Sequence, residues 1–234
     1  MNPNDPNMVL LELVAKRLGE DLRAKLTFVG GAVAGILITD PAAPSIRPTE
    51  DVDLVARVVA LPGFHAVERE LSSRGFVHDL RQGAPICRWR IDGVAVDVMP
   101  TDETILGFSN RWYPMAVDTA ESVTLPAGIE IRLVTAPVFI ATKLEAFAGR
   151  GNSDFLFSHD LGDLIAVVDG RESLIVECGA SNGLLRSYLR EQFTDLIGNR
   201  AFQDALSGHL PGDRASQDRL PDLEDKLQAL ANLQ

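Results

Sequence analysis

Three aspartates occupy positions where an aspartate is costly. Asp51 and Asp53 lie two apart in Thr49-Glu50-Asp51-Val52-Asp53-Leu54, and side chains two apart on a strand share a face. If this run enters a strand, both carboxylates stand together while Val52 and Leu54 face the core. Like charges held that close repel unless a cation lies between them. A divalent metal is the natural occupant, and Mg²⁺ takes a few carboxylates together with substrate phosphates and water. The third, Asp97, lies inside the apolar run Val94-Ala95-Val96-Asp97-Val98-Met99. There it must be paired, hydrogen-bonded or metal-bound. It completes a three-carboxylate site if its strand runs beside that of Asp53. Phe28-Val29-Gly30-Gly31 reads as a strand ending in two glycines that lead into a helix. Glycines let a phosphate approach the backbone, and a helix N-terminus supplies N–H donors. Taken singly, each feature has a plainer reading: a tight turn for the glycines, a solvated strand end for Asp51 and Asp53, and the exposed face of an edge strand for Asp97.

The elements that would position these residues follow from the patterning. Apolar residues at helical spacing (Val9, Leu10, Leu13, Val14, Leu18) predict a helix over Met8 to about Leu22. Leu26–Val29 is a short strand, Ala32–Ile38 a short helix, and the proline-rich stretch from Asp40 to Pro48 a loop. Val52–Val59 is a buried strand. Pro62–Arg74 is a helix with proline in its first turn and Gly75 just past its end. Ile86–Ile91 and Val94–Met99 form a hairpin through Asp92-Gly93, and Ser122–Leu125 pairs with Ile129–Val134 across Pro126-Ala127-Gly128. After Pro137 the pattern turns helical: Val138–Phe147, Ser158–Val168, Leu184–Ile197 and Leu220–Leu233. The expected class is α+β, a mixed sheet with flanking helices followed by a helical C-terminal region, divided as residues 1–134 and 135–234. On this reading Asp51, Asp53 and Asp97 converge on one cleft, with Gly30 and Gly31 on its opposite wall.

Composition narrows the functional classes. Of 234 residues, 46% are hydrophobic and 24% charged, enough for a sizeable core. The formal net charge of −11 argues against broad nonspecific nucleic-acid binding, which depends on phosphate neutralisation. Acidity also suits a protein that holds divalent metal on carboxylates. Cys87 and Cys178, far apart, are no disulfide framework. They read as reduced thiols, so a cytoplasmic setting is expected. The N-terminal Met1-Asn2-Pro3-Asn4-Asp5-Pro6 lacks a basic n-region and reads as no signal peptide. No apolar run approaches the roughly 18–20 residues of a membrane span.

The order Gly30-Gly31, then Asp51-x-Asp53, then strand-borne Asp97 resembles the DNA polymerase β-like nucleotidyltransferase superfamily. The second half sharpens the likeness. Thr135, Lys143, Ala146 and Arg150, followed by Ser158-His159-Asp160-Leu161-Gly162-Asp163-Leu164, resemble the AbiEii-type branch, which includes toxins of toxin–antitoxin systems. The resemblance spans roughly residues 25–170. Gly31 stands where many members carry serine, and His159 where many carry lysine.

The resemblance implies transfer of a nucleoside monophosphate from an NTP such as ATP, with Mg²⁺ or Mn²⁺ as cofactor. Asp51 and Asp53 would hold the metal at the triphosphate. Asp97 would hold a second metal or act as base to the acceptor. Gly30, Gly31 and Thr49 would contact the nucleotide, and Lys143 would neutralise triphosphate charge, contributing charge rather than packing. Asp160 and Asp163, three apart on one helix face, would orient Lys143 or contact the nucleotide. Lys143 also reads as a surface lysine, and the aspartates as first-turn charges behind a Ser158 cap. The acceptor implied is RNA (a tRNA end) or protein, with a cognate antitoxin as partner. Arg81, Arg88, Arg90 and Arg111 near the hairpin could form a basic strip for RNA, although Arg88 and Arg90 also read as a solvated strand face. A small-molecule acceptor, as in aminoglycoside-modifying relatives, and a nucleotide-binding module without turnover are the alternatives.

Overall fold

The computed structural model describes residues 5–151 and 154–234. Residues 1–4, most of the polar segment read above as no signal peptide, lie outside the described residues. In chain order the elements are α1 (Met8–Arg23), β1 (Leu26–Val29), α2 (Ala34–Leu37), β2 (Asp51–Ala56), α3 (Leu61–Ser73), β3 (Val77–His78), β4 (Arg88–Ile91), β5 (Val94–Pro100), α4 (Glu103–Leu106), α5 (Tyr113–Asp118), β6 (Glu121–Thr124) and β7 (Glu130–Leu133). They continue with α6 (Ala136–Arg150), α7 (His159–Gly170), α8 (Leu174–Ala180), α9 (Gly183–Gly198), α10 (Arg200–Ala205), α11 (Arg214–Gln217) and α12 (Leu220–Ala231). The chain forms two compact units. Pro6–Val33 with Pro48–Thr135 carries the strands, and Ala34–Arg47 with Ala136–Gln234 carries most of the helices.

The sheet unit holds one seven-stranded mixed sheet in the order β3-β4-β5-β2-β1-β7-β6. β2 and β5 pair in parallel, as do β1 and β7, whereas β1 is antiparallel to β2. The β4–β5 hairpin turns through Asp92 and Gly93 at φ +48° and +86°, the left-handed pair that suits the twist of a two-residue turn. The central strands carry apolar residues on the hidden face: Phe28, Leu54, Val96 and Val98 are fully buried, as are Leu11, Leu18 and Leu22 of α1. Two expectations shift in detail. α1 is broken at Gly19, whose φ is +67°. The stretch expected as one helix over 32–38 is a 3₁₀ turn, Gly31–Val33, followed by α2, which belongs to the helical unit. β3, α4, α5, α8, α10 and α11 are too short for periodicity to reveal.

In the helical unit α6 packs on α7 and α9, and α12 packs on α9, α7 and α8. Leu223, Leu227 and Leu230 of α12 are buried, so this helix is part of the core rather than a free face. Ser158 caps α7 by accepting from the Leu161 N–H. Among the described residues no helix is long and apolar enough to cross a membrane.

Leu54 is fully buried between Phe28 and Val98 on the neighbouring strands. Leu54→Ala should therefore lower the unfolding free energy by about 2–5 kcal/mol in chemical denaturation. A loss below about 1 kcal/mol would mean that the sheet core does not anchor this unit.

Candidate functional site

One row of side chains crosses four strands. Val29 on β1 pairs with Asp53 on β2, Asp53 with Asp97 on β5, and Asp97 with Arg88 on β4. Residues directly opposite on paired strands project from the same face, so two aspartates and an arginine stand side by side. Asp51, two residues before Asp53, joins them. β5 lies inside the sheet between β4 and β2, which removes the edge-strand reading of Asp97.

Asp97 is buried, with 7% of the residue exposed. Both of its oxygens accept from Arg88: Oδ1 from Nε at 2.8 Å and Oδ2 from Nη2 at 2.7 Å. The same Nη2 reaches Asp51 Oδ2 at 2.9 Å, and the Thr49 hydroxyl donates to Asp51 Oδ1 at 2.9 Å. A single guanidinium nitrogen thus bridges two of the three carboxylates. The hydrogen bond to Asp97 is the largest cause holding Arg88 more firmly protonated than an ordinary arginine. Sequence reasoning missed this role for Arg88. The signal was available, since a two-residue turn at Asp92-Gly93 sets a register that pairs Arg88 with Asp97.

Gly30 closes the other end of the row. Its φ is +71°, and a Cβ placed there would lie 1.8 Å from Asp53 Oδ2. The glycine is therefore required both by backbone conformation and by the carboxylate packed against its backbone. Its place corrects one expectation: Gly30 stands directly beside Asp53, at the end of the adjacent strand, rather than on an opposing wall. Gly31, buried, opens the 3₁₀ turn.

The donor set suits a hard divalent cation: carboxylate oxygens in a sheet face, with no thiol or imidazole in the row. Among the described residues no three His, Cys, Asp or Glu side chains stand gathered as a metal cage. Mg²⁺ does not need one, because it completes its shell with phosphate and water. The positive charge between Asp51 and Asp97 is already supplied by Arg88, which stands in for a cation at that point. The neighbouring Cys87 thiol is pushed up to about 12, first by burial and then by the charge of Asp97. It is no nucleophile at neutral pH. Cys178, also buried and unpaired with any cysteine, is pushed up to about 12 by burial.

The basic strip is largely neutralised. Arg81 donates its fork to Asp79, and Arg90 lies 3.6 Å from the same carboxylate. Arg88 lies on Asp97 and Asp51, so all three of these arginines have carboxylate partners. His65 and His78 both reach Glu68, and His209 reaches the Phe155 carbonyl, so none gathers with others as metal ligands.

In the helical unit the second-half motif forms one ionic cluster. Lys143 is 6% exposed, which excludes a surface lysine. Its Nζ donates to Asp163 Oδ2 at 2.7 Å and Asp160 Oδ1 at 3.2 Å. Arg47 lays its fork on Asp163 at 3.0 and 3.1 Å, and Arg150 lays its own on Asp160 at 2.9 and 3.0 Å. Burial raises the Asp160 pKa, but the Arg150 hydrogen bond and the Lys143 charge outweigh it and hold the carboxyl below its ordinary value. Beside the cluster opens a cavity of about 470 Å³ lined by Arg47, Phe157, His159, Asp163, Asp169 and His209, among others.

No family model matches the chain, and no curated protein matches its sequence. Solved structures similar to it include the antibiotic-resistance factor ANT(2'')-Ia, 15% identical, with 85% of this chain and 97% of that one covered at a TM-score of 0.46. JHP933 from Helicobacter pylori is 12% identical, with 96% and 92% covered at 0.47. An H. pylori protein provisionally described as a nucleotidyltransferase is 10% identical, with 99% and 96% covered at 0.44. None of these likenesses assigns a role to a residue here.

Gly30→Ala meets both a left-handed backbone and the Asp53 carboxylate, whereas Gly93→Ala meets only the backbone (nothing lies within 4 Å of its added Cβ). Each substitution should cost about 1–2 kcal/mol for the backbone, with a further loss only at Gly30. Equal melting shifts would show that Asp53 yields at no cost. In the helical unit, Lys143→Met should cost about 3 kcal/mol by stripping two buried carboxylates of a shared partner, against the expectation that Lys143 contributes little to stability. Because the folded pKa of Asp160 is lowered, its ionisation stabilises the fold above the ordinary value of 3.8 and ceases to do so as pH falls through the folded value. Asp160→Asn should therefore be less stable than the parent at pH 7, with the gap closing below about pH 4. A gap independent of pH would mean that shape rather than charge is lost.

Proposed function

We propose that the chain is a metal-dependent nucleotidyltransferase that moves a nucleoside monophosphate from an NTP to an acceptor, releasing pyrophosphate. The observation that carries this reading is the face-to-face placement of Asp53 and Asp97 on parallel neighbouring strands, with Asp51 on the same face. A hard divalent ion is the kind of partner that carboxylates sharing one sheet face would hold beside Arg88. A bound Mg²⁺ or Mn²⁺ would neutralise triphosphate charge as pyrophosphate leaves. Asp51 and Asp53 would hold it, and the Thr49 hydroxyl, by engaging one Asp51 oxygen, leaves the other turned to the site. Asp97 would join them in holding a second ion near the acceptor group, or would act as the base that takes its proton. Gly30, with no side chain between backbone and Asp53, and Gly31 would let phosphates lie against main-chain N–H groups. In the helical unit Lys143, Asp160 and Asp163 are assigned to nucleotide recognition. Their support is a buried lysine whose orientation two aspartates hold.

On the resemblance, the acceptor is RNA or protein, and the chain acts in the cytoplasm as a toxin with a cognate antitoxin. One observation favours a second reading: Arg81, Arg88 and Arg90 are engaged by Asp79, Asp97 and Asp51, so the strip expected to guide RNA offers little uncompensated charge. Against a net charge of −11, that favours a protein or small-molecule acceptor over RNA.

Incubation with each α-labelled NTP, Mg²⁺ and fractionated cell extract should yield one labelled fraction. Asp53→Asn should reduce labelling by more than about a hundredfold while melting at or above the parent temperature without metal, since one of several crowded like charges is removed. A variant that melts well below the parent without metal would make Asp53 a structural residue. Labelling that falls steeply with salt would restore RNA as acceptor.

A further inference from the structure

Resting on that reading of the carboxylates, we infer that Arg88 is a resident plug of the site: its guanidinium fills the point between Asp51 and Asp97 in the metal-free protein, and a divalent ion bridging them binds only by displacing it. Nη2 is within hydrogen-bonding reach of both Asp51 Oδ2 and Asp97 Oδ2, at 2.9 and 2.7 Å. An ion bound to those same two oxygens must occupy the region that this nitrogen now fills. The two cations exclude each other by volume as well as by charge.

The surroundings are built for such an exchange. Arg88 keeps 24% of its side chain exposed and Asp51 keeps 32%, whereas Asp97 keeps 10%. Water and ions thus reach the plug from the Asp51 side. Arg88 is the first residue of β4, next to a connection whose Leu80 and Ile86 are largely exposed. An element end has fewer strand neighbours to hold a side chain than an element centre has. The plug also solves the problem the metal-free protein faces. Asp51 and Asp97 would otherwise stand together on an apolar sheet with no counter-charge, at a desolvation cost that a bidentate arginine offsets. Arginine suits this better than lysine, because one planar fork satisfies both Asp97 oxygens and still reaches Asp51. Metal affinity of the unliganded protein is then set by competition, and it rises when the competitor is removed.

The test is Mn²⁺ binding to the full chain, without nucleotide, by calorimetry and electron paramagnetic resonance. Arg88→Gln should bind Mn²⁺ roughly tenfold more tightly than the parent, within the usual range for coupled sites. It should also melt lower without metal and recover more on adding it. Arg88→Lys, which keeps the charge and loses the fork, should fall between. Equal or weaker binding by Arg88→Gln would make Arg88 a strut that holds the carboxylates for the metal, and would overturn the plug while leaving the metal reading intact. Absence of binding to the parent and to a folded Arg88→Gln alike would remove the metal reading and the plug together. The parent alone supplies an independent measurement, so the inference does not hang on a variant that folds. The Arg88 Nε–H resonance should shift and lose protection as Mg²⁺ is added, and a resonance unmoved at saturating Mg²⁺ would overturn the plug.

Discussion

Two aspartates directly opposite one another on neighbouring strands of a buried sheet repel, and the sheet unit is organised around that repulsion. Parallel pairing of β2 with β5 brings Asp53 against Asp97. The period of two along β2 adds Asp51 to the same face. An apolar sheet can hold such a group only with a cation among the carboxylates. Arg88, the cross-strand partner of Asp97, lays its guanidinium across Asp97 and Asp51 and supplies that positive charge. Gly30 serves the same end by leaving room for Asp53 where any side chain would collide with it.

The helical unit meets a similar problem with a different solution. Asp160 in the first turn of α7 and Asp163 one turn on stand on one face and are buried there. Lys143 sits between them, and Arg47 and Arg150 close the outer sides with bidentate forks. Arg47 and Asp163 of this cluster line a cavity. In both units, carboxylates held close together are met by cations laid directly on their oxygens.

The same accounting bears on stability. A buried ion pair contributes little net energy, yet stripping one partner costs several kcal/mol because the other charge remains buried. Core positions such as Leu54 and Phe28 therefore hold the sheet together. The charged row is carried by that sheet and determines what it can bind.

Several features were legible in residue order alone, because each rests on local geometry. Alternation placed Asp51 and Asp53 on one face. The Asp92-Gly93 turn set the hairpin, and with it the unread pairing of Arg88 with Asp97. Apolar flanks required that Asp97 have a partner, and helical spacing put Asp160 and Asp163 on one side of α7. Which strands adjoin was a matter for the tertiary structure, because pairing β2 with β5 joins residues more than forty positions apart, and no local period encodes such a contact. Only the folded sheet shows that Asp97 is interior, that Gly30 touches Asp53, and that Arg88 spans two carboxylates. Lys143 makes the same point. Its sequence neighbours allow either an exposed or a buried lysine, and the packing of α6 on α7 decides for the buried one by placing two aspartates and their arginines around its ammonium group.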